Sequence, residues 1–334
     1  MASLLCLMWK FKDLEIDGQV VLAPMAGYTS EGYRKFFEDF SISLAYTEMV
    51  SDMGLIYGNK ETIDYLPRNK SKIPTGVQLF GSNVENIKKA VEIVKNNAKQ
   101  LDFIDVNMAC PVQKVTKTGA GSALMRDPKL CGDIIRGIKE VYDGPISAKI
   151  RLGWDDHSIN FMEVIEELEQ AGVDLIAIHA RTKKDLYSGS PRFELLKDLR
   201  SKMKVPLVVS GNIFTIDDAI HALEVTKADA VMVARGTVGN PFLATQIDHY
   251  LKTGERLNAA SYNEQKEYCL RLARLLIEEK GEATAMRIYR SIATHFFTNI
   301  KNAKVIKSRL AQELNSYQDL VGIIEDYEKN YLID

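Results

Sequence analysis

Cys110 is the residue whose type and position are best suited to chemistry. It follows an apolar and branched run, residues 103–107, that is typical of a buried strand, and a loop bearing glycine and lysine begins after it. One interpretation is a small buried hydrophobe, which is what most free cysteines are. The other is a nucleophile or proton donor, because Lys114 and Lys117 follow closely and nearby positive charge lowers the pKa of a thiol. The residues around Cys110 leave both roles open.

Two cations, Lys149 and Arg151, lie in the predicted strand 146–151 and point to the same face because they are two residues apart. An ion pair with Asp155 or Asp156 would explain Arg151. Lys149 is harder to explain in this way, since a buried strand rarely keeps an ammonium group without a partner. A bound anion would be such a partner, so we expect Lys149 in a ligand site.

Other predicted strands also end in groups that can contact a ligand. Gln78 can donate to and accept from a planar heterocycle, or it can tie down a loop. His179 can contact a ring or a phosphate, or it can be a satisfied core histidine. Glycine-containing turns follow the last two strands, and glycine lets backbone N–H groups approach a phosphate closely. These two turns contain Ser210, Gly211, Asn212, Ala234 and Arg235.

Short β-rich runs alternate with amphipathic stretches up to about residue 254. Ser82 and Thr215 are candidate helix caps, each with an acid three residues on. The alternation predicts a parallel (β/α)8 TIM barrel, with an open doubly wound sheet as the alternative. In a barrel the strand ends meet on one face, so the polar groups above would form one site. The eight predicted strands are residues 20–23, 44–47, 76–80, 103–107, 146–151, 175–179, 207–210 and 230–234.

The composition is that of a chain with a large core. It has 334 residues, 46% hydrophobic and 26% charged, and a formal net charge of −2, which by itself identifies no partner. Its four cysteines (Cys6, Cys110, Cys131 and Cys269) lie far apart, which argues against a disulfide scaffold or a zinc site and suits a reducing cytoplasm. The apolar opening lacks the basic segment and cleavage site of a signal peptide, and no run of about 20 apolar residues predicts a membrane span.

The apolar period changes after residue 254. Helical spacing begins near Tyr262 and continues to Leu332, with breaks near Gly281, Asn302 and Asn315, which predicts a separate helical domain.

Residues 283–312 of this region contain no acidic residue. Clustered lysine and arginine resemble a phosphate-binding surface, and the interspersed aromatic residues Tyr289, Phe296 and Phe297 would share it. The alternative is a solvated helix face with these aromatic residues in the core. The basic residues are Arg287, Arg290, Lys301, Lys304, Lys307 and Arg309, with His295 among them.

Longer motifs run through the chain: APMAGYTSEGYRKFF, GVQLFGS, IDVNMACPVQKVTKTGAGSALMRDP, SAKIRLGW, IHARTKKDLYSG, VSGNI and VARGTVGNP. Together they resemble the dihydrouridine synthase family, flavoenzymes that reduce particular uridines of transfer RNA, and within it the bacterial B-type branch. The resemblance covers nearly the whole chain. It implies an FMN-binding TIM-barrel catalytic domain at residues 1–253 and a helical RNA-binding domain at residues 254–334.

The resemblance further implies that Cys110 is the general acid of an FMN-dependent reduction. NADPH or NADH would reduce the flavin, a hydride would pass from flavin N5 to uracil C6, and the Cys110 thiol would give its proton to C5. This role needs a neutral thiol, which weakens the nucleophile interpretation. The implied FMN contacts are Pro24, Met25, Ala26, Gln78, Lys149, His179, Ser210, Gly211, Asn212, Ala234 and Arg235.

The implied partner is transfer RNA, bound by a monomer that needs no metal. Since the target base is stacked in folded RNA, it must be turned out into the site, where Asn107 would contact its edge. One alternative is the same chemistry on ribosomal RNA. A second is a small-molecule FMN-barrel oxidoreductase of the dihydroorotate dehydrogenase type, which would not need a basic helical domain. A third is a nonenzymatic RNA-binding protein. The predicted RNA-binding residues are Asn107, Lys114, Lys117, Arg151, Arg181, Arg287, Arg290, Lys304 and Lys307.

Overall fold

Eight parallel strands close into a barrel, as the alternating pattern predicts. The computed structural model describes residues 8–298 and 300–332, so Cys6 and most of the apolar opening lie outside the described residues. The strands are β1 (Met8–Phe11), β2 (Leu14–Asp17), β3 (Val20–Leu22), β4 (Leu44–Tyr46), β5 (Val50–Ser51), β6 (Thr75–Phe80), β7 (Phe103–Asn107), β8 (Ile146–Arg151), β9 (Leu175–His179), β10 (Leu207–Ser210) and β11 (Ala230–Val233). The barrel is β3, β4 and β6 to β11, closed by parallel pairing of β3 with both β4 and β11 and of β4 with β6. The open doubly wound sheet is therefore wrong.

Side chains on the barrel strands alternate between two environments. On β8, Ile146, Ala148 and Ile150 pack in the hydrophobic layer shared with the surrounding helices. Lys149 and Arg151 occupy the alternate positions and are also buried. The two-residue period predicted that they share a face, and both line the cavity described below.

The helices outside the barrel begin largely where the sequence predicts. Thr215 caps its helix in a capping box with Asp218. At the other predicted cap the side chain of Asn83, rather than Ser82, accepts from the first turn, and the Ser82 hydroxyl donates to Thr118 O instead. The helices are α1 (Glu31–Phe36), α2 (Asp52–Ile56), α3 (Lys60–Ile63), α4 (Val84–Asn97), α5 (Gln113–Thr116), α6 (Pro128–Lys139), α7 (Phe161–Ala171), α8 (Ile216–Thr226), α9 (Phe242–Thr253), α10 (Tyr262–Lys280), α11 (Glu282–Ala293), α12 (Ala303–Gln312) and α13 (Tyr317–Asn330).

The connection between β9 and β10 departs from strict alternation. It contains two short 3₁₀ helices, Phe193–Leu196 and Leu199–Lys202, where an α-helix was expected. The first part of this connection, residues 180–192, runs along the open end of the barrel and is held there by two buried arginines, Arg151 and Arg181.

The β1–β2 hairpin was not predicted. Trp9, Phe11 and Ile16 from the hairpin join the inward-facing residues of the barrel in one buried cluster. Phe11 meets Phe103 edge-on, with ring centroids 5.1 Å apart. The hairpin thus closes the amino end of the barrel, and the carboxyl end is left open for a site.

The C-terminal helices begin at Tyr262, as predicted, and break at the predicted positions. Helix α10 packs along α1, and Tyr268 lies edge-on to Phe40 with ring centroids 5.0 Å apart. The division of the chain into two domains at residue 254 stays a prediction. None of the described helices is long and apolar enough to cross a membrane.

Candidate active site

The carboxyl ends of the barrel strands surround a cavity of about 330 Å³. The loops after β3, β7, β10 and β11 contribute most of its wall, so residues far apart in sequence face one space. Besides Cys110, Asn107 and Arg151, the predicted cofactor residues that line it are Pro24, Met25, Ala26, Lys149, His179, Ser210, Gly211, Asn212, Ala234 and Arg235.

Cys110 lies at the cavity wall and is 8% exposed. Burial raises the pKa of its thiol, and this effect outweighs the Val112 N–H and the charges of Arg151 and Lys149, which lower the pKa. The thiol is therefore neutral at physiological pH. A thiolate activated by Lys114 and Lys117 does not fit this environment, whereas a proton donor does.

Asn107 fixes the turn that carries Cys110. Its Oδ1 accepts from the backbone N–H of Cys110 at 2.8 Å and of Ala109 at 3.1 Å. Its Nδ2 donates to Gln78 Oε1 at 2.7 Å. Both ends of the Asn107 amide are thus engaged within the protein, which gives the residue a positioning role independent of any contact with a base.

The structure does not bring Gln78 to the cavity wall. Its side chain is fully buried, with Nε2 donating to Asp105 Oδ2 at 2.6 Å and Oε1 accepting from Asn107. Asp105 also accepts from the Ser147 hydroxyl. This chain of hydrogen bonds lies inside the barrel, and Gln78 supports the site through Asn107.

Lys149 is a buried cation that faces the cavity. Its Nζ makes no hydrogen bond or ion pair with any of the described residues. Burial, and next the charge of Arg151, lower the pKa of Lys149 to about 8, while Asp105 acts in the opposite direction. Burial raises the pKa of Asp105 itself to about 6. The site therefore holds a buried ammonium group that has no side-chain partner among the described residues.

Arg151 uses its guanidinium on backbone oxygens. Nε donates to Ala109 O at 2.7 Å, and NH1 donates to Thr182 O at 2.8 Å and Leu186 O at 3.0 Å. The expected ion pair with Asp155 or Asp156 is wrong, because these carboxylates bind Lys184 at 2.8 Å and Arg192 at 2.6 Å.

Arg181 is fully buried and also holds this connection. Its Nε donates to Ser188 O at 3.0 Å and its NH2 donates to Gly189 O. Arg151 and Arg181 thus fasten residues 182–189 beside the cavity. Their contact with RNA stays a prediction, and Arg181 does not line the cavity.

His179 lines the cavity as a neutral ring. Burial, and then the charges of Arg151, Lys149, Arg181 and Arg235, hold the pKa of His179 well below its ordinary value. A neutral imidazole in a cationic site can donate to or accept from a ligand.

The turn after β10 presents backbone donors to the cavity. Gly211 has φ +147°, Asn212 has φ +48°, and the N–H groups of residues 211–213 donate no hydrogen bond within the part of the chain that the structure describes. A Cβ on Gly211 would lie 2.7 Å from Pro191 Cβ, so this turn needs glycine. Successive free N–H groups beside an arginine suit an anion.

Arg235 lies beside this turn, on the rim of the cavity. Its guanidinium carbon lies 5.0 Å from the Tyr187 ring centroid and 5.7 Å from that of Phe214, and NH2 donates to Asn212 Oδ1 at 3.2 Å. Tyr187 is 53% exposed and Phe214 45% exposed. The rim is therefore both aromatic and cationic.

The basic stretch of the C-terminal helices is only partly available to a partner. Arg309 pairs with Glu313 and Asp326, and Arg290 donates to Leu314 O at 2.7 Å and to Asn315. Tyr289, Phe296 and Phe297 are core residues, so the shared basic and aromatic surface is wrong.

Several predicted RNA contacts are exposed cations. Arg287 and Lys304 form no ion pair with the described residues, and the same is true of Lys114 and Lys117 on the loop after Cys110. Lys307 is half-buried. Burial lowers the pKa of His295, and the nearby charge of Lys307 lowers it further. A Cβ on Gly239 would lie 2.3 Å from the His295 carbonyl carbon, so the end of α11 packs against the loop after β11.

Sequence reasoning assigned no individual role to three contributors to the site. Asp105 is two residues before Asn107 in an otherwise apolar strand, and the two-residue period would have placed both on one face. Glu48 lies two residues after β4 and accepts from Gly27 N at 2.5 Å in the loop that lines the cavity. No local sequence pattern indicated that Tyr187 lines the cavity, because its position depends on the hydrogen bonds from Arg151 and Arg181 to residues 186 and 188. No cluster of three or more potential metal ligands occurs in residues 8–298 and 300–332.

The fold and the site define a TIM-barrel enzyme whose chemistry lies at the carboxyl ends of the strands. A sequence profile described as "Dihydrouridine synthase (Dus)" matches residues 21–329. The chain therefore belongs to the dihydrouridine synthase family, as its motifs predict.

Relatives match along most of their own length. "Probable tRNA-dihydrouridine synthase" of Rickettsia bellii is 31% identical over 297 residues, which cover 89% of this chain and 90% of that protein. "Probable tRNA-dihydrouridine synthase 1" of Synechocystis sp. is 31% identical over 309 residues, covering 92% and 85%. "tRNA-dihydrouridine synthase B" of Pseudomonas aeruginosa is 30% identical over 304 residues, covering 91% and 90%.

Proposed function

We propose that this enzyme reduces specific uridines of transfer RNA to 5,6-dihydrouridine, with FMN as its bound cofactor and NADPH or NADH as reductant. Membership of the family supports the reaction, and the names of the relatives support the substrate. The single observation that carries the proposal is the pairing of a neutral thiol, Cys110, with an unpartnered buried ammonium, Lys149, in one cavity.

The residues around the cavity fit FMN. Lys149 offers a cation to an electron-rich ring edge, and the free N–H groups of residues 211–213 with Arg235 offer donors to a phosphate. We propose direct contacts from Pro24, Met25, Ala26, Lys149, His179, Ser210, Gly211, Asn212, Ala234 and Arg235, with Gln78 acting through Asn107.

Bound FMN would supply the hydride that adds to uracil C6 after its reduction by NADPH or NADH. Cys110 would hold its proton on Sγ and donate it to C5, where negative charge builds as C6 is reduced. Asn107 fixes the Cys110 backbone, so the thiol keeps its place as the base enters. Burial of the site keeps the thiol protonated, because it disfavours the charged form.

The RNA would be held through its backbone and its shape. Lys114 and Lys117 flank the Cys110 loop, while Arg287, Lys304 and Lys307 lie on the C-terminal helices, and such cations bind phosphate without reading sequence. Arg290, Arg151 and Arg181 are engaged with backbone oxygens, so we propose that they shape the surface that meets RNA.

The decisive experiment uses the purified full chain, FMN, NADPH and an unmodified tRNA transcript. We expect a yellow protein that adds two hydrogen atoms to particular uridines, located by mass spectrometry of nuclease fragments. A protein that cannot take up FMN would overturn the flavin proposal. The same assay with ribosomal RNA tests one alternative substrate. Dihydroorotate, with NADP+ in place of NADPH as the electron acceptor, tests the other, and oxidation of dihydroorotate without reduction of either RNA would favour the small-molecule enzyme.

We further propose that the protein works as a monomer in a reducing cytoplasm. The three cysteines in the described part of the chain, Cys110, Cys131 and Cys269, are free thiols. A proton-donating thiol needs such a compartment, because oxidation of Cys110 would remove the donor.

A further inference from the structure

Helix α1 takes its N-terminal cap from a distant helix. Ser30 occupies the cap position but makes no side-chain hydrogen bond to its own helix. Its hydroxyl instead donates to Glu279 Oε2 at 2.6 Å, and the Gly32 N–H donates to the same oxygen at 2.8 Å. Glu279 belongs to α10, so a carboxylate from the C-terminal helices satisfies the free donors at the start of α1.

The packing around this contact is close and fixed. A Cβ on Gly32 would lie 2.8 Å from the Leu275 carbonyl oxygen, so only glycine lets α10 approach α1 this closely. The Glu279 side chain is 6% exposed, and its Oε1 lies 3.1 Å from Lys280 Nζ. Burial acts to raise the pKa of Glu279, but the hydrogen bonds from Ser30 and Gly32 and the Lys280 charge hold that pKa below its ordinary value, so the cap is a carboxylate.

The capped helix begins where the cavity wall ends. Met25 and Tyr28 line the cavity, and Thr29 binds Met25 in both directions: its hydroxyl accepts from Met25 N at 2.9 Å and donates to Met25 O at 3.2 Å. Arg34, one turn into α1, donates from NH1 to Thr29 O at 2.7 Å. A shift of α1 would therefore be passed through Thr29 to the wall at Met25.

We propose that Glu279 is a positioning residue for the cofactor wall formed by residues 24–28, acting through its cap on α1. The inference rests on the proposed FMN function. It gives the C-terminal helices a second role, because α10, which precedes the helices that carry the basic residues, also sets the geometry of the cavity.

The test measures FMN affinity by flavin fluorescence in Glu279→Ala, Glu279→Gln and the wild-type full chain. We expect about tenfold weaker FMN binding for Glu279→Ala, the effect of losing one charged hydrogen-bond acceptor. Glu279→Gln keeps an acceptor of the same size and should recover part of the affinity. Glu267→Ala is the matched charge control, because Glu267 is exposed on α10 and forms no ion pair with the described residues, so this variant should bind FMN as the wild type does.

A stability control separates positioning from general damage to the helices. Tyr289→Phe removes the buried hydrogen bond from Tyr289 to Cys269 O in the same helical region, and Tyr289 is not a hydrogen-bond partner of Ser30, Gly32 or Glu279. Circular dichroism first establishes a temperature at which every variant is folded. At that temperature the positioning role predicts weaker FMN binding in Glu279→Ala and not in Tyr289→Phe. Equal losses in both variants would overturn it.

A double-mutant cycle with Ser30→Ala tests the contact itself. Glu279 and Ser30 should show coupling in FMN affinity, so the double variant should lose less than the sum of the single losses. Wild-type FMN affinity in Glu279→Ala would overturn the positioning role alone. A wild-type protein that binds no FMN would overturn the proposed function, so the two failures are distinguishable.

Discussion

The side-chain oxygen of Asn107 accepts the backbone N–H of Cys110 at 2.8 Å, which ties the proposed acid to the end of β7. The same side chain is tied to Gln78, so one amide joins the barrel interior to the thiol. The geometry of the proposed acid is therefore determined by strand register as well as by its own loop.

Asn107→Ala should destabilise the protein and misplace the thiol. The substitution leaves three groups without their partner: the N–H groups of Ala109 and Cys110 and the side-chain oxygen of Gln78. Each buried polar group left unsatisfied lowers the stability of a protein by about 1–3 kcal/mol. We expect the free energy of unfolding in urea to fall by about 3 kcal/mol. Asn96→Ala, at an exposed helix position, should change it by no more than about 0.5 kcal/mol. A loss that small for Asn107→Ala would contradict the positioning role.

Cys110→Ala should separate cofactor binding from chemistry. FMN affinity should stay near the wild-type value, because the change removes one sulfur atom from the wall. Dihydrouridine formation should fall by about 10²–10⁴-fold, the usual contribution of a positioned general acid. Cys131→Ala serves as the control, since Cys131 is a buried residue of α6 that donates to Leu124 O and does not line the cavity. Unchanged single-turnover rates in Cys110→Ala would exclude the thiol as the proton donor.

Lys149→Met should weaken FMN binding without destabilising the cofactor-free protein at neutral pH. Burial of an unpartnered ammonium opposes folding, and methionine removes that charge at similar volume. We expect FMN affinity to fall at least about tenfold, the effect of losing a charged hydrogen bond. A decrease of more than about 1 kcal/mol in the unfolding free energy would mean that Lys149 has a stabilising partner within the protein.

The stability of the cofactor-free protein should also depend on pH through Lys149. Its folded pKa of about 8 lies below its ordinary value of 10.5, so between these pH values the unfolded chain binds more protons than the folded one. The Lys149 contribution to the unfolding free energy therefore rises as pH rises from about 8 to about 10.5 and does not change below about 8. Urea melts of wild type and Lys149→Met, compared at each pH, isolate this contribution. Parallel curves across that window would contradict the lowered pKa.

Arg287→Glu and Lys304→Glu should weaken RNA binding and leave FMN binding and NADPH oxidation unchanged. Both side chains are exposed, and a lost phosphate contact lowers the salt slope of the affinity by about 1. Lys202→Glu is the control, because Lys202 precedes β10 at the amino end of the barrel. Arg290 is unsuitable, since its contacts with residues 314 and 315 confound binding with folding. Fluorescence anisotropy across a salt series checks this, and equal slopes in all three variants would remove the C-terminal helices from the RNA site.

Local patterns predicted the barrel and part of the cavity wall, and the resemblance to the family added Pro24, Met25, Ala26 and Asn107. The two-residue period of a strand predicted that Lys149 and Arg151 point to the same face. The residue types of the turn after β10 were sufficient to predict a glycine turn there. The partners of these groups were not predictable in the same way. Gln78 was expected beside the cofactor, but it is bound by Asp105 and Asn107, and that choice depends on how β6 and β7 are paired. Arg151 has two acids nearby in sequence, yet its guanidinium binds carbonyl oxygens, because the fold places residues 182–189 next to it.

The hairpin at the amino end has a consequence for the order of folding. Gln19 follows the hairpin, and its side chain donates to Asp229 O at 2.7 Å, 210 residues away, while β3 pairs with β11. Docking of residues 8–22 is therefore complete only when the last barrel strand is in place, and such distant contacts slow folding. Trp9 is one of two tryptophans in the chain. It is buried at the amino end of the barrel, and its indole N–H donates to Gly18 O. Its fluorescence should change in the slowest refolding phase, well after the helices have formed.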